Sequence, residues 1–274
     1  MEHDAETILR AEVVDLHRFF VRWYAGTAAP SEVAAVVARF REDFGYIYPG
    51  GSRSSRDDLA AMFAASHGAN PDFRIQVTAF SFQALLVTSD VALWGVTYEE
   101  YQAGARNSAA DNGRLSSAIF EVRGGAACWV HLHECWLPQP QVAEHHNNYG
   151  PLVQYGLPVA ADDLPAIRAD LDARIALEAG RQGDGNTLWM RTLCAQLFCA
   201  GAVEDILRIW RAKQASFDAA CSIDAELLCG PGLDETLGHL SAQTDPQATA
   251  VLKYLRQCEP ELEGYRESLL AHYA

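Results

Sequence analysis

Residues 114–138, RLSSAIFEVRGGAACWVHLHECWLP, decide how the first half of the chain folds. Two alternating apolar runs flank a central glycine pair, an arrangement that is typical of a β-hairpin. Successive side chains of a strand point to opposite faces of the sheet. Regular alternation therefore puts His131, His133 and Trp129 on one face of the second strand, and the predicted site depends on what that face contacts.

Outside the hairpin, residues 5–113 combine helical and strand-like periods. Apolar residues recur at helical spacing in three segments, and alternating runs follow them. We predict helices at 5–25, 31–40 and 56–67 and strands at 44–48, 73–86 and 91–101. Helices followed by long antiparallel strands predict an α+β domain, in which a curved sheet wraps around helices and forms a cone. The mouth of such a cone is a favoured place for a ligand.

The second half of the chain shows a different pattern. Its first part is rich in proline, asparagine and glycine, so we predict that residues 140–160 form a linker. No convincing strand follows. Seven short apolar segments at helical spacing account for residues 161–274 and predict an all-α helical array. We therefore expect a first domain at 1–139 and an α-helical domain at 161–274.

Composition limits the partners and the compartment. The 274 residues carry a formal net charge of −15, which disfavours nucleic acid and anionic membranes as partners. The seven cysteines are odd in number, lack CxxC spacing and lie mostly in apolar runs, which predicts reduced thiols in a cytoplasmic protein. No segment has the pattern of a signal peptide or a membrane span. No nucleotide- or dinucleotide-binding motif occurs, so we predict no cofactor.

The early helices, the strand and turn at 44–51 and the closing strand WVHLHECWLP resemble the nuclear-transport-factor-2-like (NTF2-like) superfamily. Its SnoaL-like and calcium/calmodulin-kinase-association-like branches often end in a strand of the form H-x-H-x-S/T. His131, His133 and Cys135 match this form, with a cysteine at the last position. The resemblance covers about the first half of the chain and implies an NTF2-like cone that binds a small molecule, with a sheet that pairs in a homodimer.

One position departs from the isomerase branch of that superfamily. Ketosteroid-isomerase-like members place a general-base aspartate just before a Pro-x-Gly turn, whereas Tyr48 occupies the corresponding position here. A tyrosine is a poor base at neutral pH but a good hydrogen-bond donor. That isomerase mechanism is therefore not expected. In the second half, residues 193–230 resemble helical regions of uncharacterised bacterial proteins, which implies no chemistry.

The histidine pair on the closing strand has three interpretations. Two histidines at positions i and i+2 suit one metal ion, but no third ligand is evident, so we predict no metal site. If their face lines the cone, His131 and His133 bind or protonate a ligand. Otherwise they are ordinary hydrogen-bonded histidines of a sheet. We assign both, together with Glu100, as catalytic candidates.

Neighbouring strands supply the ligand-binding candidates. Tyr98 and Glu100 share one face of a strand, and a buried Glu100 requires Arg114 or a histidine as its partner. Arg114 and Ser116 share a face that is suited to holding an anionic group. The predicted ligand-binding residues are Tyr46, Tyr48, Trp94, Tyr98, Arg114, Ser116 and Trp129.

These observations leave different functions open. In the first, the cone binds a small, largely apolar organic molecule and performs cofactor-free acid/base chemistry; isomerisation, cyclisation, hydration and elimination all fit what the resemblance implies. In the second, the chain is a non-catalytic binding or scaffold protein whose helical domain docks a protein partner. A metal-dependent lyase or hydrolase that uses the histidine pair is a third interpretation.

Overall fold

The fold was analysed in a computed structural model that describes residues 2–88, 90–106 and 108–273. The chain forms two compact units, of which the first ends at His146 and the second spans Asn147–Tyr273. The first unit contains α1 (Glu2–Ala25), α2 (Glu32–Val37), β1 (Phe40–Ile47), β2 (Arg53–Ser55), α3 (Arg56–Ser66), β3 (Arg74–Val87), β4 (Ala92–Ala103), β5 (Asn112–Arg123) and β6 (Ala126–Trp136). This α+β content is the predicted one.

The six strands form one curved, mixed sheet in the order β2-β1-β6-β5-β4-β3. Neighbouring strands are antiparallel except for β1 and β6, which run parallel. The predicted hairpin joins β5 to β6, because Arg123 pairs with Ala126 and leaves a two-residue turn. Gly124 and Gly125 adopt φ of +58° and +81°, the left-handed backbone that a tight hairpin turn requires and that glycine adopts without strain.

A β-bulge interrupts β6 and changes which side chains share a face. Phe120 pairs with Trp129, whereas the preceding Ile119 pairs with His131, so Val130 is an extra residue on β6. The residues that follow Val130 therefore point to the opposite face of the sheet from the one that regular alternation predicts. The predicted common face of Trp129, His131 and His133 is wrong for this reason.

The core of the first unit lies between α1 and the sheet. The helix buries a stripe at helical spacing that includes Leu9, Val13 and Leu16, and it packs against β3 and β6. Trp23 continues this stripe and donates its indole N–H to the backbone oxygen of Phe63 at 3.0 Å. Helix and sheet thus enclose the space in which the candidate site lies.

The boundary between the two units lies within residues 140–160, the predicted linker, but most of this segment is helical, since α4 covers Gln139–Tyr155. The backbone at Tyr149 is non-helical (φ −123°, ψ 19°), two residues before Pro151. Val142 and Leu152 are buried at 1% and 3% exposure. Apolar anchors of this kind stabilise helical turns even where the composition favours a loop.

The second unit is helical, as predicted. It contains the end of α4, α5 (Leu164–Gly180), α6 (Thr187–Ala200), α7 (Ile206–Lys213), α8 (Phe217–Ser222), α9 (Leu233–Ser241), α10 (Pro246–Cys258) and α11 (Tyr265–Tyr273). Helix α6 is central, since it is buried on nearly all sides. Asn186 caps it by accepting hydrogen bonds from the backbone N–H groups of Leu188 and Trp189. None of the helices in the described residues has the length and apolar character that a membrane span needs.

Candidate functional site

The first unit encloses a cavity of about 480 Å³ between α1, α3 and the concave face of the sheet. Leu16, Phe44 and Trp129 are buried and form part of its wall. Gly50 and Trp136 also line it but are exposed, so they lie where the cavity opens to solvent. Most of the wall is aromatic or aliphatic. Such a space suits a small, largely apolar molecule.

A buried polar cluster interrupts this apolar wall, and its members come from different strands. Cross-strand pairing places Glu100 of β4 opposite Arg114 of β5, and Ser116 of β5 opposite Glu134 of β6. Tyr46 of β1 reaches the same cluster from the other side of β6. The two carboxyl groups are each only 3% exposed. Arg114 lies between them, with Nη1 2.9 Å from Glu134 and 3.9 Å from Glu100.

Glu134 is the carboxyl group whose environment favours the protonated form. Its Oε2 accepts hydrogen bonds from the Tyr46 hydroxyl at 2.5 Å and from Arg114 Nη1 at 2.9 Å. Its Oε1 has only a long contact of 3.4 Å with the Ser116 hydroxyl. Burial and the nearby charge of Glu100 raise the pKa of Glu134 above its ordinary value, and the two donors only partly offset this. Of the two carboxyl groups, Glu134 is therefore the one better suited to hold and release a proton.

The environment of Glu100, in contrast, favours the ionised form of its carboxyl group. Burial alone would raise its pKa, but Arg114 and a hydrogen bond with His17 outweigh burial and hold the pKa of Glu100 below its ordinary value. Gln102 donates a further hydrogen bond to Oε1. Both oxygens of Glu100 are thus engaged. In this tightly coupled pair, Glu100 carries the negative charge more readily than Glu134.

His17 of α1 completes the cluster, and its contacts fix one of its protons. Nδ1 lies 2.7 Å from the backbone oxygen of Val13, and a carbonyl oxygen only accepts, so Nδ1 carries a hydrogen. Nε2 lies 3.1 Å from Glu100 Oε2. This contact ties α1 to β4 through the side chains of His17 and Glu100.

The structure brings most of the predicted site residues together. Glu100 and Tyr98 line the cavity from β4, as their shared face predicted, and Arg114 is the predicted partner of Glu100. Ser116 and Trp94 are buried but are not part of the cavity wall; Ser116 contacts Glu134, and Trp94 belongs to the core. The predicted residues that line the cavity are Tyr46, Tyr48, Tyr98, Glu100, Arg114 and Trp129.

His131 and His133 lie on the opposite, convex face of the sheet. His133 is exposed. His131 lies beside Gly45 of β1, and a Cβ atom added at Gly45 would lie 3.4 Å from His131 Nδ1. Neither residue lines the cavity. The bulge at Val130 is the reason, since it brings Leu132 and Glu134 to the concave face instead. Within the described ranges, no three His, Cys, Asp or Glu side chains are grouped as metal ligands would be.

Two members of the cluster, Glu134 and His17, are not among the residues predicted from the sequence. Regular alternation of β6 would put Glu134 on the face opposite Trp129, and its place in the cavity wall depends on the bulge. His17 lies 83 residues from Glu100 in sequence, within an apolar helical stripe. A histidine in such a stripe is a weak signal, because many buried histidines only satisfy a local backbone group.

The first half of the chain is similar to solved NTF2-like structures. An NTF-2-like protein of unknown function from Pseudomonas aeruginosa is 29% identical, with 48% of this chain and 99% of that chain covered and a TM-score of 0.42. An NTF2-like protein with a cystatin-like fold from Novosphingobium aromaticivorans is 14% identical, with coverages of 48% and 81% and a TM-score of 0.35. A ketosteroid isomerase-like protein from Erwinia carotovora atroseptica is 12% identical, with coverages of 48% and 95% and a TM-score of 0.32.

These neighbours are of the class that the sequence motifs resemble, and they match about half of the chain. No protein-family model matches the chain, and no curated protein is significantly similar to it.

Proposed function

We propose that the first unit binds a small, largely apolar organic molecule and transfers a proton to or from it without a cofactor. The observation that supports this most directly is Glu134, a buried carboxyl group with a raised pKa in the wall of an apolar cavity. Enzymes raise the pKa of a carboxyl group in this way when it acts as an acid or base near neutral pH.

In this proposal each member of the cluster has a separate task. Glu134 accepts and returns the proton. When Glu134 takes up the proton, Arg114 loses its anionic partner. Arg114 then stabilises the negative charge that develops on the ligand. Tyr46 orients the Glu134 carboxyl group through its hydrogen bond. Glu100 and His17 position Arg114 and supply the nearby negative charge, and His131 and His133 have no part in the reaction.

Hydrogen exchange at the α-carbon of 2-tetralone in D2O, followed by NMR, tests the proposal. The Glu134 carboxylate accepts the α-proton, the C–H electron pair forms the enolate, and a deuteron returns to carbon after the carboxyl proton exchanges with solvent. Glu134→Gln removes the base and should slow exchange by about 100-fold or more. Glu121→Gln is the matched control, because Glu121 also pairs with arginines but does not line the cavity.

Exchange that is unaffected by Glu134→Gln, or reduced equally by Glu121→Gln, would contradict the assignment of Glu134 as the base. A thermal melt of each variant should accompany the assay, so that loss of folding is recognised. Binding of 2-tetralone without any exchange would favour the second candidate function.

That second candidate is a non-catalytic binding or scaffold protein. The observation that favours it is that Glu100 and Glu134 are already paired by protein groups, which also suits a purely structural role. In this case the second unit would dock a protein partner. Phe217 of α8 is 76% exposed there, a large apolar side chain that a partner would cover. A homodimer, as the resemblance implies, is compatible with both candidates and is tested by the mass of the protein in solution.

A further inference from the structure

His17 is held within the protein at both of its ring nitrogens. The side chain projects from α1 and is only 5% exposed. Nδ1 lies 2.7 Å from the backbone oxygen of Val13, and Nε2 lies 3.1 Å from Glu100 Oε2. Both nitrogens are thus engaged, although the side chain forms part of the cavity wall. His17 is therefore placed to act on its protein neighbours and not on the ligand itself.

Glu100 connects His17 to the group that transfers the proton. Arg114 Nη1 lies 3.9 Å from Glu100 and 2.9 Å from Glu134, so the two carboxyl groups share one cation. A hydrogen bond to a carboxylate stabilises its ionised form. The contact with His17 therefore helps to keep a negative charge on Glu100, and this charge lies close to Glu134.

The other titratable side chains that face this pair come from α1 and from three strands, β1, β4 and β5. They are Tyr24, Tyr46, Tyr98 and Arg114. Burial raises the pKa of each tyrosine above its ordinary value of 10.0. Burial alone would lower the pKa of Arg114, but the two carboxylates outweigh burial and raise it. Each tyrosine therefore keeps its hydroxyl hydrogen, and Arg114 keeps its charge, where the carboxyl groups titrate.

We propose that His17 is a positioning residue of this site, which acts on Glu134 through Glu100. The inference rests on the proposed function, because it concerns the control of the same proton-transfer group. His17 holds the negative charge on Glu100, and that charge favours the protonated form of Glu134. Without His17, Glu100 takes up a proton more readily, and Glu134 releases its own proton at lower pH. Helix α1 thus sets the pH at which the base form of Glu134 becomes available.

Two amide substitutions of His17 separate its two contacts. The amide nitrogen of asparagine is as many bonds from Cα as Nδ1 of histidine, and that of glutamine is as many bonds away as Nε2. His17→Asn therefore keeps a donor for Val13 but does not reach Glu100, whereas His17→Gln keeps a donor for Glu100. Both variants lose the edge contacts of the imidazole ring with Phe20 and Tyr98, so they are matched in packing.

Carbon-13 NMR of the glutamate carboxyl groups measures the titration of Glu134 in the full chain without a ligand, and Glu134→Gln assigns its signal. His17→Asn should move the midpoint of Glu134 to lower pH by about 0.5 pH unit or more. His17→Gln should leave the midpoint close to that of the wild type. In the Glu100→Gln background, His17→Asn should cause no further shift, because the group that carries the effect is absent.

His67 provides the control. Its Nε2 also contacts a backbone oxygen, that of Ala28 at 2.9 Å, but His67 does not line the cavity. His67→Asn should leave the midpoint of Glu134 unchanged. If His17→Asn does not fold, His17→Phe replaces it, because phenylalanine keeps a ring, removes both nitrogens and should cause the same shift.

Three results would overturn the role of His17. The first is a midpoint that stays in place or moves to higher pH in His17→Asn, as a purely structural histidine would allow. The second is an equal shift in His17→Asn and His17→Gln, which would assign the effect to the lost ring. The third is an undiminished shift of the midpoint in the Glu100→Gln background.

The proposed function is decided separately, by the pH profile of 2-tetralone exchange. In His17→Asn this profile should move by the same amount as the midpoint of Glu134. A midpoint that moves while the exchange profile stays in place, or while no exchange occurs, would contradict Glu134 as the base. The link from His17 to Glu134 would then remain, and the proposed function would fail.

Discussion

Buried carboxyl groups occur in both units, but their surroundings differ. In the second unit, Asp205 is 1% exposed and is paired with Arg168 at 2.8 Å and Arg208 at 2.7 Å. One acid there has two cations. In the first unit, Glu100 and Glu134 share Arg114 next to a cavity. A carboxylate with an excess of donors stabilises its unit, whereas one that competes for a donor retains a proton more readily and is available for chemistry.

The largest expected effect on stability concerns Asp205. Asp205→Ala leaves Arg168 and Arg208 without their buried counter-ion and should lower the free energy of unfolding of the second unit by about 3 kcal/mol. Urea unfolding measures this. Asp172→Ala is the control, because Asp172 pairs with Arg208 at 3.2 Å but is 40% exposed. That exposed pair should contribute less than about 1 kcal/mol, and equal losses in the two variants would contradict the distinction.

Glu134 should make stability depend on pH with a definite sign. Its folded-state pKa is raised, so the folded protein holds this proton to higher pH than the unfolded chain. The stability that this contributes is complete below the ordinary value of 4.5 and is lost as the pH rises through the folded pKa. The stability of the wild type relative to Glu134→Gln should therefore fall across that interval. A difference that rises with pH would show that the folded protein lowers the pKa of Glu134 and does not raise it.

Removal of the second carboxylate should shift the activity profile. Glu100→Gln eliminates the negative charge that helps to raise the pKa of Glu134, while Arg114, Tyr46 and His17 remain around it. The base form of Glu134 would then be present at lower pH. The pH profile of 2-tetralone exchange should move to lower pH, and a profile that stays in place would mean that the two carboxyl groups do not interact.

Tyr46→Phe should shift the pH profile of 2-tetralone exchange by a smaller amount and in the opposite direction. The Tyr46 hydroxyl stabilises the ionised form of Glu134 and so lowers its pKa. Without this donor the exchange profile should move to higher pH. The variant keeps the ring, which packs against Tyr48 with ring centres 3.9 Å apart, so folding should change little. A shift to lower pH would indicate that Tyr46 acts on Glu134 by a different route.

The structural features that depend on local interactions could be predicted from the sequence. The helices and strands follow from hydrophobic periodicity, and the turn between β5 and β6 follows from its glycine pair. The partner of Glu100 was also predictable, because Arg114 lies on the next strand of the same antiparallel pairing. Each of these features depends on residues that are near in sequence or joined by a short connection.

The composition of the cavity wall was not predictable in the same way. Whether β6 alternates regularly depends on its pairing with β5 and with β1. Strand β1 lies far from β6 in the sequence. The position of the bulge in that pairing exchanged the faces of His133 and Glu134. His17 reaches Glu100 only because α1 packs against the sheet, a tertiary contact that no local pattern in the helix specifies.

The bulge at Val130 also has a consequence for how this unit can diversify. A single codon inserted after Val130 and absorbed into the regular pairing of β6 would turn the rest of the strand over. His131 and His133 would then face the cavity, and Glu134 would face solvent. One mutational step therefore separates a carboxyl-lined cavity from an imidazole-lined one, while the helices and the other strands need not change.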